Sequence, residues 1–491
     1  MRKLFTLAIV FGLISATTFA QNEQDALRYS SSSLTGTARY TAMGGAFSAL
    51  GGDLSSISMN PAAIGVYRRS EFTFTPGFYL QNTTGKFNGT TSEENRLNLN
   101  IGNIGYLGNF YSGRHKWKEV SVAVGYNRTN NFSNEISFKG ISKGSSILDG
   151  YVNQLNQNGG TPEEDVYNTD PFGAGLAYNA FLINPMANDS TRYDHVLQNS
   201  TDVLQSKQIN RSGGMGEYFM GMGANYNNRL YFGGTVGLTT IRYREESTYK
   251  EIPDANDATN DLTELRRYDN LQTNGFGFVA KMGMIVRATN WLRLGTSIHS
   301  PTWYRMSDNW SSQIDADYEN GDAFREESPN GSFDYRLTTP AKATFGVGLV
   351  IARKGILSGE YEYIDYSLAK LSTPSNSATE QYDFNLENEN IKSLYQPAGN
   401  IKAGLEWRLD PFRIRGGFSH RQNAFRSDVG ADNSSTTYSF GLGFREADYF
   451  IDLGYSLTQF DQDHYAYSNI ESPANISTTA HYLLITVGFR Y

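Results

Sequence analysis

The stretch His481-Tyr-Leu-Leu-Ile-Thr-Val-Gly-Phe-Arg-Tyr491 decides the fold. It alternates strictly, with Leu483, Ile485, Val487, Phe489 and Tyr491 on one face and Leu484, Thr486, Gly488 and Arg490 on the other. A strand that meets lipid on one side and an aqueous lumen on the other needs an apolar residue only at every second position. The alternation and the terminal aromatic predict a membrane-facing barrel strand that the barrel assembly machinery would engage. Counting segments of period two back from this strand gives fourteen, near 70–81, 95–110, 117–131, 212–227, 229–245, 270–288, 291–306, 331–351, 355–369, 397–409, 411–424, 435–446, 448–461 and 477–491. Outward sets are clear in several, such as Phe72, Phe74, Phe78 and Leu80, or Ile451, Leu453, Tyr455 and Leu457; the 212–227 segment is ambiguous. The connections alternate too. Long loops are expected at 82–94, 132–211, 246–269, 307–330, 370–396, 425–434 and 462–476, and very short ones between, which is the rhythm of extracellular loops and periplasmic turns. The expected fold class is therefore all-β, a 14-stranded antiparallel transmembrane β-barrel, over residues 70–491.

Composition agrees with this. The chain of 491 residues is 39% hydrophobic, and its 49 Gly, 32 Tyr and 29 Phe stand against 13 Pro. Barrels use aromatic girdles at both interfaces and glycine where the lumen is crowded. There is no cysteine, hence no disulfide framework, thiolate metal site or lipoprotein anchor, and a net charge of −8 argues against a nucleic-acid partner. Arg2 and Lys3, the apolar run Leu4 to Ile14, and Thr18-Phe19-Ala20 read as a signal peptide over residues 1–20, implying export to the outer membrane of a Gram-negative cell.

Residues 21–69 do not fit the strand pattern. They are rich in Gly, Ala and Ser and lack period-two alternation, which suits close packing in a confined space. Gly44-Gly45-Ala46-Phe47, Gly51-Gly52-Asp53 and Asn60-Pro61-Ala62, followed by Phe72 on the first strand, resemble the N-terminal hatch of the FadL/TodX family of outer-membrane transporters for hydrophobic compounds. Further along, Thr339-Pro340-Ala341, the Tyr361 to Tyr366 segment and the closing hairpins from Gly441 to Phe460 are similar to that family's patterns. The long Asn- and Gly-rich connection 132–211 departs from them. The resemblance implies fourteen strands plugged by a short hatch in the lumen. It also implies passive, hatch-gated uptake of hydrophobic molecules such as long-chain fatty acids, with lateral release through a hatch movement or a kinked strand. It puts Asn60, Pro61 and Ala62 at that exit as hatch and gating residues. The partners implied are a hydrophobic small molecule, outer-membrane lipid and lipopolysaccharide.

On the inward positions of the expected strands, basic side chains outnumber acidic ones. Lys402, Arg413 and Arg415 are candidates for a ligand's carboxylate, because a guanidinium offers a two-pronged donor in a poorly screened lumen. The alternative is mutual pairing with Glu360, Glu362, Glu406 and Asp452. No cofactor or metal is expected: the histidines lack metal spacing, and residues 315–322 (DADYENGD) lack a full calcium ligand set. No nucleophile and base are brought together by a motif, so an enzyme is not expected. The remaining alternatives are a receptor for haemin or another ligand, and a structural or adhesive barrel.

Overall fold

The computed structural model describes residues 23–112, 116–198, 202–254, 261–374, 382–468, 470 and 472–491, so the expected signal peptide lies outside the described residues. No described helix is long and apolar enough to cross a membrane. The chain forms a closed antiparallel barrel of fourteen strands, in which strand 1 (Glu71–Phe87) pairs with strand 14 (Ala474–Arg490) from Glu71↔Arg490 to Lys86↔Asn475. Closure joins the first and last strands and so removes the free edges of the sheet there, the requirement for β-structure in lipid. The C-terminal alternation is realised in this seam, where Leu483 and Phe489 face outward while Leu484 and Thr486 are buried inside.

Strand 2 is Thr90–Ser112, strand 3 Trp117–Asn131, strand 4 Asp202–Tyr226, strand 5 Leu230–Pro253 and strand 6 Leu262–Arg287. Strand 7 comes in two pieces, Leu292–His299 and Trp303–Tyr318, and strand 8 likewise, Gly331–Thr338 and Lys342–Ile351. Strand 9 is Gly355–Asp365, followed by Pro397–Leu409, Phe412–Arg421, Ser435–Arg445 and Tyr449–His464 as strands 10 to 13. The breaks in strands 7 and 8 fall at Pro301 and Pro340, which stand at the same level between the His299↔Lys342 and Trp303↔Thr338 pairs. Proline gives no ladder donor, so two facing prolines interrupt both strands together.

The structure corrects several expected boundaries. Residues 82–94 are no loop: strands 1 and 2 continue to a two-residue turn at Asn88-Gly89, both with positive φ (44° and 81°). That is the turn whose twist matches a hairpin, and Asn-Gly is its favoured sequence. Strands 4 to 6 also run well past the expected ends, to 202, 253 and 262. The DADYENGD stretch is a hairpin rather than a solvated loop, with Asp315 held by Arg325 (3.1 Å) and Asp317 by Arg266 (2.7 Å). Above these strands, helices Ile147–Leu155 and Ala174–Asn179 and a small hairpin from the 144–198 connection build an apolar core with Phe87, Phe138, Tyr249 and Ile314, closing the long-loop end.

Residues 23–69 run inside the barrel. Helix Glu23–Ser30 sits in the upper lumen, where Ala26, Leu27 and Tyr29 pack with Phe132, Tyr243 and Tyr335. The chain then descends through helix Ala38–Ala42 to two 3-10 turns, Ser55–Ser58 and Pro61–Val66, and leaves at the short-turn end to begin strand 1. Glycines on the lumen face of the wall receive it. A Cβ at Gly233 would lie 2.1 Å from the Pro61 carbonyl oxygen, one at Gly295 2.0 Å from that of Ser48, and one at Gly417 2.1 Å from the Gly44 nitrogen. The inward glycines form the seat on which the hatch backbone lies.

Candidate functional site

Three sets of contacts hold the hatch, and one gap in the wall faces it. Asn60 is fully buried and bonds in three directions: its Nδ2 donates to the Ser48 carbonyl (2.6 Å) and the Met284 carbonyl (3.3 Å), and its Oδ1 caps the following turn by accepting from Ala62 N (3.0 Å). Pro61 at the first position of that turn has no amide to satisfy, and its fixed φ suits the start. Asn60, Pro61 and Ala62 thus tie two hatch segments to strands 5 and 6, with Met59 O accepting from Ser297 Oγ (2.7 Å) on strand 7.

We expect Asn60→Ala to remove a cap worth about 0.5–2 kcal/mol together with the tie to Ser48. Amide hydrogen exchange over 60–66 should quicken roughly tenfold, the equivalent of about 1.4 kcal/mol of local stability, while the barrel still shows its heat-dependent gel shift. Unchanged exchange would mean that the turn stands without this side chain.

The basic candidates are all engaged by protein carboxylates. Lys402 Nζ bonds Glu360 (2.8 Å) and lies 3.7 Å from Glu362; Glu360 in turn accepts from the Phe47 and Ser48 amides of the hatch. Arg415 is enclosed between Glu406 (2.7 Å) and Asp452 (2.7 Å), and Glu406 also accepts from Arg39 of the hatch (2.8 Å). Arg413 sits near the short-turn end, 3.8 Å from Asp410. In this arrangement Glu360 and Glu406 join hatch to wall, and Lys402 and Arg415 are the wall cations paired with them. The expected excess of lumen cations is also offset by residues not counted from sequence: Glu217, on the ambiguous strand 4, pairs with Lys281 (2.7 Å), and Glu71 with Arg490 (2.7 Å). Arg39, the hatch half of the main latch, was not singled out in the sequence because its partner lies 367 residues away.

The gap lies between strands 2 and 3. Their ladder runs only from Ser112↔Glu119 up to Asn103↔Asn127, and above it residues 90–102 pair with strand 1 alone. Strand 3 turns inward after Asn131, and its continuation Asn134–Lys143 pairs only with strand 4. That continuation passes on the lumen side of the first hairpin: a Cβ at the inward-facing Gly85 would meet Ser137 O at 2.3 Å, and the buried rings of Phe87 and Phe138 pack 5.4 Å apart. The wall overlaps here instead of being zipped. Bridges across the overlap run from Asn131 to Asn98 (3.2 Å), from Arg96 to Glu135 (3.8 Å) and from Asn88 Nδ2 to the Ile141 carbonyl (2.9 Å).

The hatch segment that stops this slot from inside is residues 31–36. Ser33 N donates to Thr129 O (2.9 Å), Asn130 Nδ2 to Ser31 O (3.3 Å) and Thr35 Oγ1 to the Tyr482 hydroxyl (3.3 Å), which itself bonds Asn100; the Gly36 carbonyl lies against Gly102. Asn60-Pro61-Ala62 lies lower, against strands 5 and 6. Outside the slot, Leu97, Leu99 and Ile101 are exposed on the lipid-facing side of strand 2.

A closed fourteen-stranded antiparallel barrel with an internal hatch and an unzipped wall segment defines the fold class. Within it the chain shares its fold with the P. putida toluene transporter TodX, at TM-score 0.55 and 12% identity over 94% of this chain and 99% of that one. It is also similar to the CymD monoaromatic hydrocarbon channel (TM-score 0.51, 10% identity, 94% and 99% covered) and to a Pseudomonas aeruginosa FadL homologue (0.53, 11%, 93% and 99%). No family model and no curated protein matches by sequence, so the likeness is one of fold.

Proposed function

We propose that this protein is a passive outer-membrane channel for hydrophobic molecules, gated by its hatch and releasing cargo sideways through the slot between strands 2 and 3. The observation that carries the reading is the inward turn of strand 3. It leaves thirteen residues of strand 2, 90–102, without a second ladder partner at the one place where the hatch contacts the wall through a short polar strap. A lateral path lets an apolar molecule leave the lumen for lipid without entering bulk water, which the hydrophobic effect favours. The likeness in fold to transporters and channels of hydrocarbons supports the same direction.

Long-chain fatty acids are the cargo we favour. At the long-loop end, a recess of about 400 Å³ is lined by Lys392, Tyr395, Gln396 and Pro397 with Ser367, Ser427 and the Arg426–Asp428 pair (3.4 Å), and Lys392 beside Tyr395 and Pro397 offers a cation to a carboxylate-headed chain. Tyr395 continues into the buried cluster that includes Leu27 and Ile391, the route toward the upper lumen.

The test uses the absence of native cysteine. Ser33→Cys with Thr129→Cys is designed to join strap to wall at a pair already linked by a backbone hydrogen bond. Uptake of a fluorescent fatty acid into proteoliposomes should fall at least tenfold on oxidation and return on reduction. A cross-linked protein that transports as fast as the reduced one would sink the strap as gate.

A further inference from the structure

In the upper lumen four polar side chains converge without bonding to one another. Asp308 on strand 7 stands directly opposite Thr273 on strand 6, Tyr335 of strand 8 is diagonal to it, and Tyr29 reaches the same point from the hatch helix. All four are at most 1% exposed, and among the described residues neither carboxylate oxygen of Asp308 and none of the three hydroxyls has a hydrogen-bond partner. Thr273 and Tyr335 turn their hydroxyls toward the carboxylate, and Thr273 toward Tyr29 as well, yet no bond of ordinary geometry forms between them. Buried polar atoms are nearly always bonded, so orphaned oxygens gathered at a single place, from the hatch and from three strands, point to a further group that all of them share.

Charge decides what that group is. Arg28, whose field reaches Asp308, pairs with Asp25 on its own helix, and Arg211 pairs with Glu245 (2.6 Å). Of these five groups Asp308 alone is without a counter-charge, in surroundings made apolar by Phe132 against Tyr29 and by Met306 and Leu337 in the same buried cluster. A buried carboxylate in that position is costly. A water molecule would satisfy the hydroxyls and leave the charge, whereas a cation answers both. The donors are oxygen throughout, which suits a hard ion, and a single carboxylate balances a single positive charge, while calcium sites typically draw on several.

We propose that Asp308, Thr273, Tyr29 and Tyr335 form a site for a hard monovalent cation, sodium or potassium, which ties the first hatch helix to strands 6, 7 and 8. No spacing in the sequence announces it, because its donors are scattered over more than half of the chain. Tyr29 is the hatch's share of the site, so occupancy stabilises the docked position of Glu23–Ser30 and makes it depend on the ions around the protein. The inference does not rest on the transport reading: it concerns what holds the top of the hatch, whatever the lumen carries, and its readout is not uptake.

The test is amide hydrogen exchange over residues 23–30 of the full-length protein in detergent, in sodium chloride, potassium chloride and N-methylglucamine chloride of equal ionic strength. An ion that binds only the docked helix slows its opening in proportion to site saturation, so exchange should slow about tenfold at ten times the dissociation constant, relative to N-methylglucamine. The more protective of the two alkali ions identifies the occupant. Asp308→Asn, close in shape and uncharged, should remove the difference. Thr273→Val keeps the carboxylate and loses one donor, and should move the response to higher salt; the heat-dependent gel shift reports folding of both. Asp461→Asn, at an exposed carboxylate on strand 13, is the control and should respond as the parent does. Equal exchange in all three salts, an alkali response that survives Asp308→Asn, or protection by calcium chloride alone would each overturn the assignment.

Discussion

Gly233→Leu is expected to turn the closed barrel into an open pore. A Cβ at this position would meet the Pro61 carbonyl oxygen at 2.1 Å, its carbon at 2.4 Å and the Ala62 nitrogen at 2.8 Å, all backbone atoms that no rotamer change can move aside. Relief requires the hatch turn to lift off the wall, and overpacking of this kind typically costs about 1–3 kcal/mol even where neighbours can yield. A Cβ at the neighbouring Gly283 would lie 1.8 Å from Asn60 Oδ1, so the turn rests on the wall there too, and a lifted turn also loses the Asn60 bond to the Met284 carbonyl of strand 6. Single-channel conductance in planar bilayers should rise at least tenfold, and cells should become sensitive to antibiotics too large for the parent. Gly416→Ala, where an added Cβ meets nothing within 4 Å, is the control and should leave conductance unchanged. A Gly233→Leu channel as tight as the parent would show that the seat is not what closes the lumen.

Barrel strands were readable in the sequence wherever one face met lipid, and only there. All fourteen expected segments correspond to strands, but those around 212–227, 229–245 and 270–288 stop short because, beyond the membrane band, the outer face of strands 4 to 6 turns polar (Arg242, Arg244) and the inner face mixes Ser247 and Glu251 with Tyr249 and Leu265. Period two has little to alternate there. Asn88-Gly89, by contrast, carries a favoured hairpin-turn sequence inside the stretch 82–94 that was expected as a long loop. The hatch was recognisable from its small residues, yet the slot was not, since the inward turn of strand 3 depends on which strand Asn134–Lys143 pairs with, and pairing leaves no local mark. For the same reason Lys402 and Arg415 could be placed on the lumen face but not matched to Glu360, Glu406 and Asp452, and Arg39 could not be placed at all.

That last group carries the second large effect. Glu406, almost wholly buried, accepts from Arg39 Nε (2.8 Å) and Nη2 (3.2 Å) on one side and from Arg415 Nε (2.7 Å) on the other, while Arg415 Nη1 reaches Asp452 (2.7 Å) and Arg39 Nη1 reaches the Gly52 carbonyl (2.8 Å). Glu406→Ala leaves two buried guanidinium groups facing each other with one carboxylate between them gone, and breaking a buried pair from one side costs about 3–5 kcal/mol. The exposed pair Arg69 and Asp448 at the short-turn end sets the scale for comparison, since such pairs are worth at most about 1 kcal/mol. We expect Glu406→Ala to lower the urea midpoint of the folded barrel markedly and to free the hatch, seen as thermolysin cleavage at its apolar residues, whereas Asp448→Ala does neither. Removing both charges that cross from hatch to wall, Arg39→Met with Glu406→Met, leaves Arg415 paired with Asp452 and should recover most of the lost stability without restoring the latch. Stability would then return while the hatch stays cleavable, a separation that a purely barrel-stabilising role for Glu406 would not produce. Full protection of the hatch in the double variant would assign its retention to the glycine seat and the Glu360 contacts instead.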